Sequence, residues 1–155
     1  MDPPAWYTLF LLHLAYICSF VDRALLGMLV TPIKADLGVS DLQMSLLIGL
    51  AFSVFYVVAG IPIARLSDRY TRRNVIVIGI VLWSIATSAG ALASSFAMLF
   101  ALRVGVAVGE SALSPSALSM LSDLFARDKL STATGIYAAA TFVGTGVALL
   151  AGGAL

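Results

Sequence analysis

The amino-acid sequence predicts an all-α membrane protein with about five transmembrane helices, and three observations support this. Hydrophobic residues make up 61% of the 155 residues and charged residues only 11%, whereas a soluble domain carries about 25% charged residues. The mean hydropathy is +1.03. The apolar residues also form runs of roughly 20 residues, the length that a helix needs to cross a bilayer. We therefore expect the lipid bilayer, and not water, to surround this chain.

Short polar connectors separate the predicted spans. The connector after the first helix contains Gly38 and the pattern from Ser40 to Gln43, which is typical of a capping box at the start of a helix. Ala93–Phe96 is predicted to form a tight turn, and Leu121–Leu130 a polar connector, either without regular structure or with a short surface helix. The helices are placed near Trp6–Ile33, Leu42–Ala64, Asn74–Ser94, Phe96–Leu121 and Ser131–Leu155.

Basic residues are distributed unevenly between the connectors. Two connectors lie on one side of the membrane, one between helices two and three and the other between helices four and five. Together they hold Arg65, Arg69, Arg72, Arg73, Arg127 and Lys129. The connector on the other side, after helix one, has Lys34 as its cation, beside Asp36 and Asp41. Because cytoplasmic loops carry an excess of Lys and Arg, the amino terminus and both basic connectors are predicted to lie in the cytoplasm.

The ends of the chain and its one cysteine give further expectations. Residues 1–6 contain no Lys or Arg, so the first apolar run is predicted to be a retained helix and not a cleaved signal peptide. The fifth span reaches Leu155 without a polar flank, which predicts truncation at or within helix five; a genuine short carboxyl terminus is the alternative. Cys18 is the one cysteine, so no disulfide can form within the chain.

Four ionisable residues lie inside the predicted spans: Asp22, Arg23, Arg103 and Glu110. A charged side chain at a helix centre costs about 2.5–3.5 kcal/mol on insertion scales, so these groups are expected to face one another or water. At a rise of about 1.5 Å per residue, Asp22 and Glu110 lie roughly 18 Å and roughly 20 Å from the outer ends of helices one and four. The two carboxyls can therefore share one depth in the membrane.

Two interpretations of these charges remain open. Arg103 and Glu110 are two helical turns apart on one face, whereas Asp22 and Arg23 diverge by about 100° around helix one. In the functional interpretation, Asp22 and Glu110 take up protons, Arg103 tunes them, and Arg23 faces the substrate or acts as a counter-charge. In the structural interpretation, all four form a static buried ion network that only fixes helix packing.

Other residues on helices one and four suggest cavity and packing roles. His13 lies on the face shared by Tyr16, Phe20 and Arg23, where it is either part of a substrate cavity and proton relay or simply a hydrogen-bonded histidine. On helix four, the small residues Gly105 and Gly109 permit close approach of another helix, and Pro115 is expected to kink the helix below Glu110. The set named here is His13, Tyr16, Phe20, Gly105, Gly109 and Pro115.

Enzyme chemistry is not expected. The stretch Gly109–Leu113 lacks the second glycine of a nucleophile elbow, and the one histidine lies on another helix. The sequence contains no metal-ligand cluster, phosphate-binding loop or dinucleotide fingerprint. We therefore predict no catalytic residue, no metal, no cofactor and no nucleic-acid partner.

The stretch from Ala64 to Arg73 resembles the signature loop of the major facilitator superfamily. The acid and the arginines of that loop are present, while two positions that are often glycine in the family are Ala64 and Thr71. The resemblance implies a conformational latch, in which a charge network fastens the inner end of helix two to a neighbouring helix. The residues that would form this latch are Asp68, Arg69, Arg72 and Arg73.

Shorter motifs resemble the bacterial spinster-like transporters of that superfamily. They are Phe20-Val-Asp22-Arg23, Gly60-Ile-Pro62, Arg103 with Gly109-Glu110 and Pro115, and Ser122-Asp123-Leu-Phe125. Helix five carries the packing glycines Gly135, Gly144, Gly152 and Gly153 at the spacing of the antiporter motif. Its central Gly-Pro is replaced by Ala148-Leu149, a departure that does not favour antiport.

The resemblance implies a fold and a function. The fold would be the first half of a twelve-helix transporter, in which helices one and four line a central cavity, and residues 1–155 would be its truncated amino-terminal half. The expected activity is alternating-access, proton-coupled movement of a small organic or amphipathic solute, possible classes including lysolipids, across the bacterial inner membrane. The expected partners are this solute, protons and the missing carboxyl-terminal half. The alternatives are an organic-anion symporter and a non-transporting membrane scaffold.

Overall fold

The structure is a computed structural model, and it describes residues 4–152. The described chain forms eight α-helices and one π-helical segment, Leu46–Ala51. The α-helices are α1 (Ala5–Met28), α2 (Val30–Leu37), α3 (Asp41–Ser45), α4 (Phe52–Arg69), α5 (Arg72–Gly90), α6 (Phe96–Glu110), α7 (Leu113–Leu124) and α8 (Arg127–Gly152).

Five stretches of helix are long and apolar enough to cross a membrane, which confirms the predicted all-α membrane fold. Three of them are single helices, and the other two join α3 to α4 through the π-helical segment and α6 to α7. About half of the apolar window in the fourth span is buried, against 17–28% in the other four. The five spans are Ala5–Met28, Asp41–Arg69, Arg72–Gly90, Phe96–Leu124 and Arg127–Gly152.

Two helix interruptions precede prolines. The prediction of one continuous first helix to Ile33 is wrong, because α1 ends at Met28 and α2 begins at Val30. Pro32 has no N–H to donate to the carbonyl four residues earlier, and its ring crowds that carbonyl. Pro115 acts in the same way on Ser111, and the fourth span is interrupted between α6 and α7.

The connection between α5 and α6 covers residues 91–95 and is longer than the predicted turn, whereas the other connectors are shorter than predicted. The expected polar connector Leu121–Leu130 is helical except at Phe125 and Ala126, since α7 runs to Leu124 and α8 begins at Arg127. Polar residues at a helix end can keep helical hydrogen bonds while their side chains are exposed, so polarity alone did not mark the helix boundary. Between α5 and α6, by contrast, Ser95 caps the new helix by accepting a hydrogen bond from the Met98 N–H at 3.3 Å.

The helices group into two compact units, which are described separately. The first, Leu26–Ser116, contains α6 packed against both α4 and α5. One end of it holds a small apolar core of Val39, Met44, Leu47 and Leu99. The predicted capping box is confirmed there, because the Ser40 and Gln43 side chains each accept a hydrogen bond from the other's backbone N–H. Gly38, with φ of 62°, ends α2 in the left-handed conformation that glycine favours.

The second unit consists of residues up to Leu25 together with those from Ala117 onward. In it, α1 packs along α8. Trp6 at the start of α1 makes an edge-to-face contact with Phe125, with ring centroids 5.0 Å apart. Further along, Tyr16 stacks on Tyr137 at 4.5 Å with the rings nearly parallel. The aromatic contacts therefore run along α1 and position the residues that were predicted to face a substrate.

Candidate functional site

Both charged residues of α6 are buried. Arg103 is 7% exposed and Glu110 is 1% exposed. Their separation of seven residues places them two turns apart on one face of the helix, and α6 packs against both α4 and α5. Burial of two ionisable groups in an apolar span is costly, so this face is the strongest candidate for a functional site.

An aromatic ring that sequence reasoning did not identify contacts Arg103. The guanidinium carbon of Arg103 lies 4.6 Å from the ring centroid of Phe52 on α4. This is within the ~6 Å range of cation–π attraction, which grows when the groups are desolvated. Phe52 in turn lies against Tyr56, with centroids 5.8 Å apart. The sequence signal was weak, because Phe52 belongs to an unbroken apolar run.

Glycines bring α5 and α6 into backbone contact next to Glu110. A β-carbon placed on Gly109 would lie 2.7 Å from the Gly79 carbonyl oxygen and 2.7 Å from the Trp83 backbone nitrogen. At Gly105 the same atom would meet the Ala86 β-carbon at 3.3 Å. The predicted small-residue face of helix four therefore lies against α5, and its partner Gly79 was missed by sequence reasoning.

The end of α6 just after Glu110 is held by hydroxyl groups. The Ser111 hydroxyl donates to the Val108 carbonyl oxygen at 2.7 Å, which satisfies a carbonyl left open where the helix is interrupted. Beyond Pro115, the buried Ser116 hydroxyl accepts a hydrogen bond from the Ser67 hydroxyl at 2.9 Å. One hydrogen bond between side chains of neighbouring helices thus joins the region after Glu110 to the last part of α4.

In the other unit, the predicted cavity residues of α1 form a row. His13 donates from Nδ1 to the Ile136 carbonyl oxygen of α8 at 2.8 Å. Tyr16 makes an edge-to-face contact with Phe20 at 5.1 Å, and the Arg23 guanidinium lies 5.1 Å from the Phe20 ring centroid. The row therefore ends in a cation and packs in part against α8, through His13 and through the Tyr16 ring that stacks on Tyr137. Both Asp22 and Arg23 are half-buried within α1.

The glycines of α8 differ in their surroundings. Gly144 lies against α1, where an added β-carbon would come within 2.7 Å of the Phe20 β-carbon and 2.8 Å of the Ile17 carbonyl oxygen. Gly135 has open space around it. Gly152 is the last residue of α8, and Gly153 lies outside the described residues.

The four predicted latch residues lie on helix ends and not in an extended loop. Asp68 and Arg69 end α4, and Arg72 and Arg73 begin α5, so Tyr70–Thr71 is the whole non-helical connection between these two helices. Asp68, Arg69 and Arg73 are exposed. Within residues 4–152, no three His, Cys, Asp or Glu side chains come together so that they could hold a metal ion.

Most of the chain matches one known protein family. Residues 12–155 match the family model of the Major Facilitator Superfamily. This chain belongs to the Major Facilitator Superfamily. The membership inferred from the signature loop is therefore confirmed. The relatives of this superfamily member are transporters, which confirms the prediction that it is not an enzyme.

Two curated relatives and one solved structure are similar to this superfamily member. The chain is 33% identical to an MFS-type efflux pump of Mycolicibacterium smegmatis over 97% of its length. It is 29% identical to Protein spinster of Drosophila melanogaster over 95% of its length. The crystal structure of a bacterial homolog to the human lysosomal transporter Spinster, inward-facing and unoccupied, covers 100% of the chain with a TM-score of 0.93 and 39% identity. These similarities confirm the spinster-like resemblance.

The similar proteins are much longer than this superfamily member. The chain spans 35% of the efflux pump, 24% of the Drosophila protein and 32% of the crystallised bacterial homolog. The chain thus spans between about a quarter and about a third of the length of these proteins.

Proposed function

We propose that this superfamily member forms part of a proton-coupled transporter that moves a small organic or amphipathic solute by alternating access. The observation that carries the proposal is the burial of Glu110, which is 1% exposed in an apolar helix that also buries Arg103. Ionisable groups inside membrane spans are expensive and commonly mark ion or substrate pathways. Membership of a transporter family supports the same conclusion.

A proton on Glu110 would remove a negative charge from the face that it shares with Arg103. The interactions of that face would then differ between the protonated and the deprotonated protein. A group that interacts differently with two conformations shifts the equilibrium between them. We extend this role to Asp22 of α1, and assign Arg103 the task of tuning the acids.

The row on α1 supports an amphipathic solute. Tyr16 and Phe20 offer apolar ring surface, and Arg23 at the end of the row offers a guanidinium that can bind phosphate or carboxylate oxygens through paired hydrogen bonds. A solute with an apolar tail and an anionic headgroup, such as a lysophospholipid, has the matching chemistry. His13 would extend the row at its other end.

The proposal also includes partners and a location. A two-half transporter needs a second set of helices for alternating access, so we propose that this chain works with a carboxyl-terminal half. The proposed membrane is the bacterial inner membrane, with the amino terminus in the cytoplasm. Asp68, Arg69, Arg72 and Arg73 would then lie at the cytoplasmic side and latch α4 and α5 against a neighbouring helix.

A flux measurement in proteoliposomes tests the proposal. With an imposed pH gradient, the transporter reconstituted from this chain and a carboxyl-terminal half should move a radiolabelled lysophospholipid saturably, whereas the 155-residue chain alone should not. Preference for a sugar acid over the lysophospholipid would favour the organic-anion symporter. Absence of flux and of any solute-dependent thermal shift across the solute panel would favour the scaffold and overturn the proposal.

A further inference from the structure

We infer that Phe52 is a positioning residue for Arg103, and that the π-helical segment Leu46–Ala51 places its ring there. The inference deepens the proposed function, because Arg103 belongs to the proposed proton-responsive group. The ring contact itself does not depend on transport, and the two ideas can therefore fail separately.

The contact between Phe52 and Arg103 occurs in a buried setting. Both residues are 7% exposed, and the guanidinium carbon lies 4.6 Å from the ring centroid. The electron-rich face of an aromatic ring attracts a cation, and removal of water strengthens this attraction. The ring of Tyr56, 5.8 Å away and inclined by 26°, packs against Phe52 and limits its movement. Phe52 therefore presents a fixed surface to the guanidinium.

The π-helical segment explains how Phe52 comes to be buried. Leu47 belongs to the small apolar core with Val39, Met44 and Leu99 and is 0% exposed. In an α-helix, a residue five positions later would point about 140° away from Leu47. In a π-helix, hydrogen bonds join residues five apart, so Leu47 and Phe52 can both face inward. The segment thus shifts the residues that face inward, so that both the core around Leu47 and the contact with Arg103 are formed.

Phe55 shows what the same side chain does without this placement. It lies three residues further along α4, and its ring contacts Phe100 edge-to-face with centroids 6.4 Å apart. Phe55 is also much more exposed, at 36%. It is therefore a control in the same helix, with the same side chain but a contact to an aromatic ring from α6 in place of the guanidinium.

Loss of the ring would leave the charge of Arg103 in place and remove a surface that orients it. Arg103 would then adopt other side-chain rotamers within the cavity that Phe52 vacated. Since Arg103 and Glu110 share one face of α6, the electrostatic effect of Arg103 on that face would become less defined. We therefore expect Phe52 to influence proton coupling although it carries no ionisable group.

Stepwise fluorination of Phe52 tests the ring contact. Fluorine withdraws electron density from the ring face and weakens cation binding, with little change of shape. Mono-, di- and trifluorophenylalanine would be incorporated at position 52 of the 155-residue chain, and thermal unfolding measured in detergent. The unfolding midpoint should fall with each fluorine, by about 2–4 °C in total. The same series should fall less at Phe55, whose contact with Phe100 also depends on ring electron density but involves no cation, and less at Phe52 in an Arg103→Met background.

A flat series at Phe52 beside wild-type Arg103 would overturn the inference. If Arg103→Met does not fold, the comparison between positions 52 and 55 decides alone. In the reconstituted transporter, Phe52→Leu should lower gradient-driven flux by about threefold to tenfold, and Phe52→Trp should restore it. The wild type could show no flux while the unfolding midpoint still falls along the fluorine series. In that case the proposed function fails and the positioning role of Phe52 stands.

Discussion

Gly79 of α5 and Gly109 of α6 are so close that a β-carbon on either would lie 2.6–2.7 Å from the carbonyl oxygen of the other. The opposing atoms are backbone atoms, so neither helix can accommodate a side chain by a change of rotamer. Small residues allow this kind of close packing between membrane helices. The position of Glu110, next to Gly109, therefore depends on backbone contact between α5 and α6.

Alanine at Gly109 should destabilise the protein more than alanine at Gly105. Overpacking at a tight contact costs typically about 1–3 kcal/mol, and a β-carbon at Gly109 meets backbone at 2.7 Å, whereas at Gly105 it meets only the Ala86 β-carbon at 3.3 Å. Thermal unfolding in detergent measures the difference. Equal midpoints for Gly109→Ala and Gly105→Ala would contradict the described packing.

The glycines of α8 provide a second pair for comparison. Gly144→Ala should lower the unfolding midpoint, because the new methyl group would lie 2.7 Å from the Phe20 β-carbon of α1. Gly146 has open space around it, so Gly146→Ala should be neutral or stabilise the helix by up to about 1 kcal/mol. A larger loss at Gly146 than at Gly144 would show that α1 does not pack on this face of α8.

The elements that were predicted well depend on local signals. Five apolar runs defined the five spans, and the Ser40–Gln43 pattern defined a helix start, because hydropathy and capping act over a few residues. The interruption at Leu29 also had a local signal, Pro32, which the sequence interpretation did not use. Its physical cause is the same as that of the interruption before Pro115.

The missed elements depend on contacts that are distant in sequence. Leu46–Ala51 is an ordinary apolar run, and nothing in it distinguishes a π-helix from an α-helix. The pairing of Phe52 with Arg103 joins residues 51 positions apart and requires that shift of register. Gly79 likewise allows close helix packing only because Gly109 lies opposite it in the fold. Sequence pattern therefore identified the buried charges but not the side chains that surround them.

Neutralising the acids should remove proton coupling without unfolding the protein. Asp22→Asn and Glu110→Gln each mimic a protonated acid, so gradient-driven flux by the reconstituted transporter should be lost while the unfolding midpoint changes little. Arg103→Ala should lower the midpoint more, since it leaves Glu110 buried without that cation on its helix face. Flux with the wild-type pH dependence in both acid variants would instead support the static ion network.

Labelling of single cysteines should reveal the orientation. With Cys18 replaced, a cysteine at Thr71 should resist a membrane-impermeant thiol reagent added outside the cell, because the basic α4–α5 connection is proposed to be cytoplasmic. A cysteine at Asp36, on the opposite side of the membrane, should react. Asp36 is a better site than Gly38, whose φ of 62° disfavours other residues. The reverse labelling pattern would invert the proposed topology.

Deletion of one residue should be tolerated in the π-helical segment and harmful in α4. Without Gly49, Leu47 and Phe52 would be four residues apart, and a regular α-helix would then place both on one face. Gly49 is exposed, and no atom lies within 4 Å of where its β-carbon would be, so its loss removes no contact. The variant that lacks Gly49 should therefore elute as a single symmetric peak in size-exclusion chromatography and have an unfolding midpoint near that of the wild type.

Deletion of Gly60 is the comparison, because Gly60 lies within α4, which contains Pro62 but no π-helical turn. Everything beyond it in α4 would rotate by about 100° relative to the preceding part. Ser67 would then leave Ser116, to which it donates a hydrogen bond at 2.9 Å, and Arg69 would leave its place at the end of α4. Size-exclusion chromatography and thermal unfolding in detergent compare the two variants. If deletion of Gly49 lowers the unfolding midpoint as much as deletion of Gly60, Leu46–Ala51 does not contain one residue more than a regular α-helix needs. The shift that brings Phe52 to Arg103 would then have another cause.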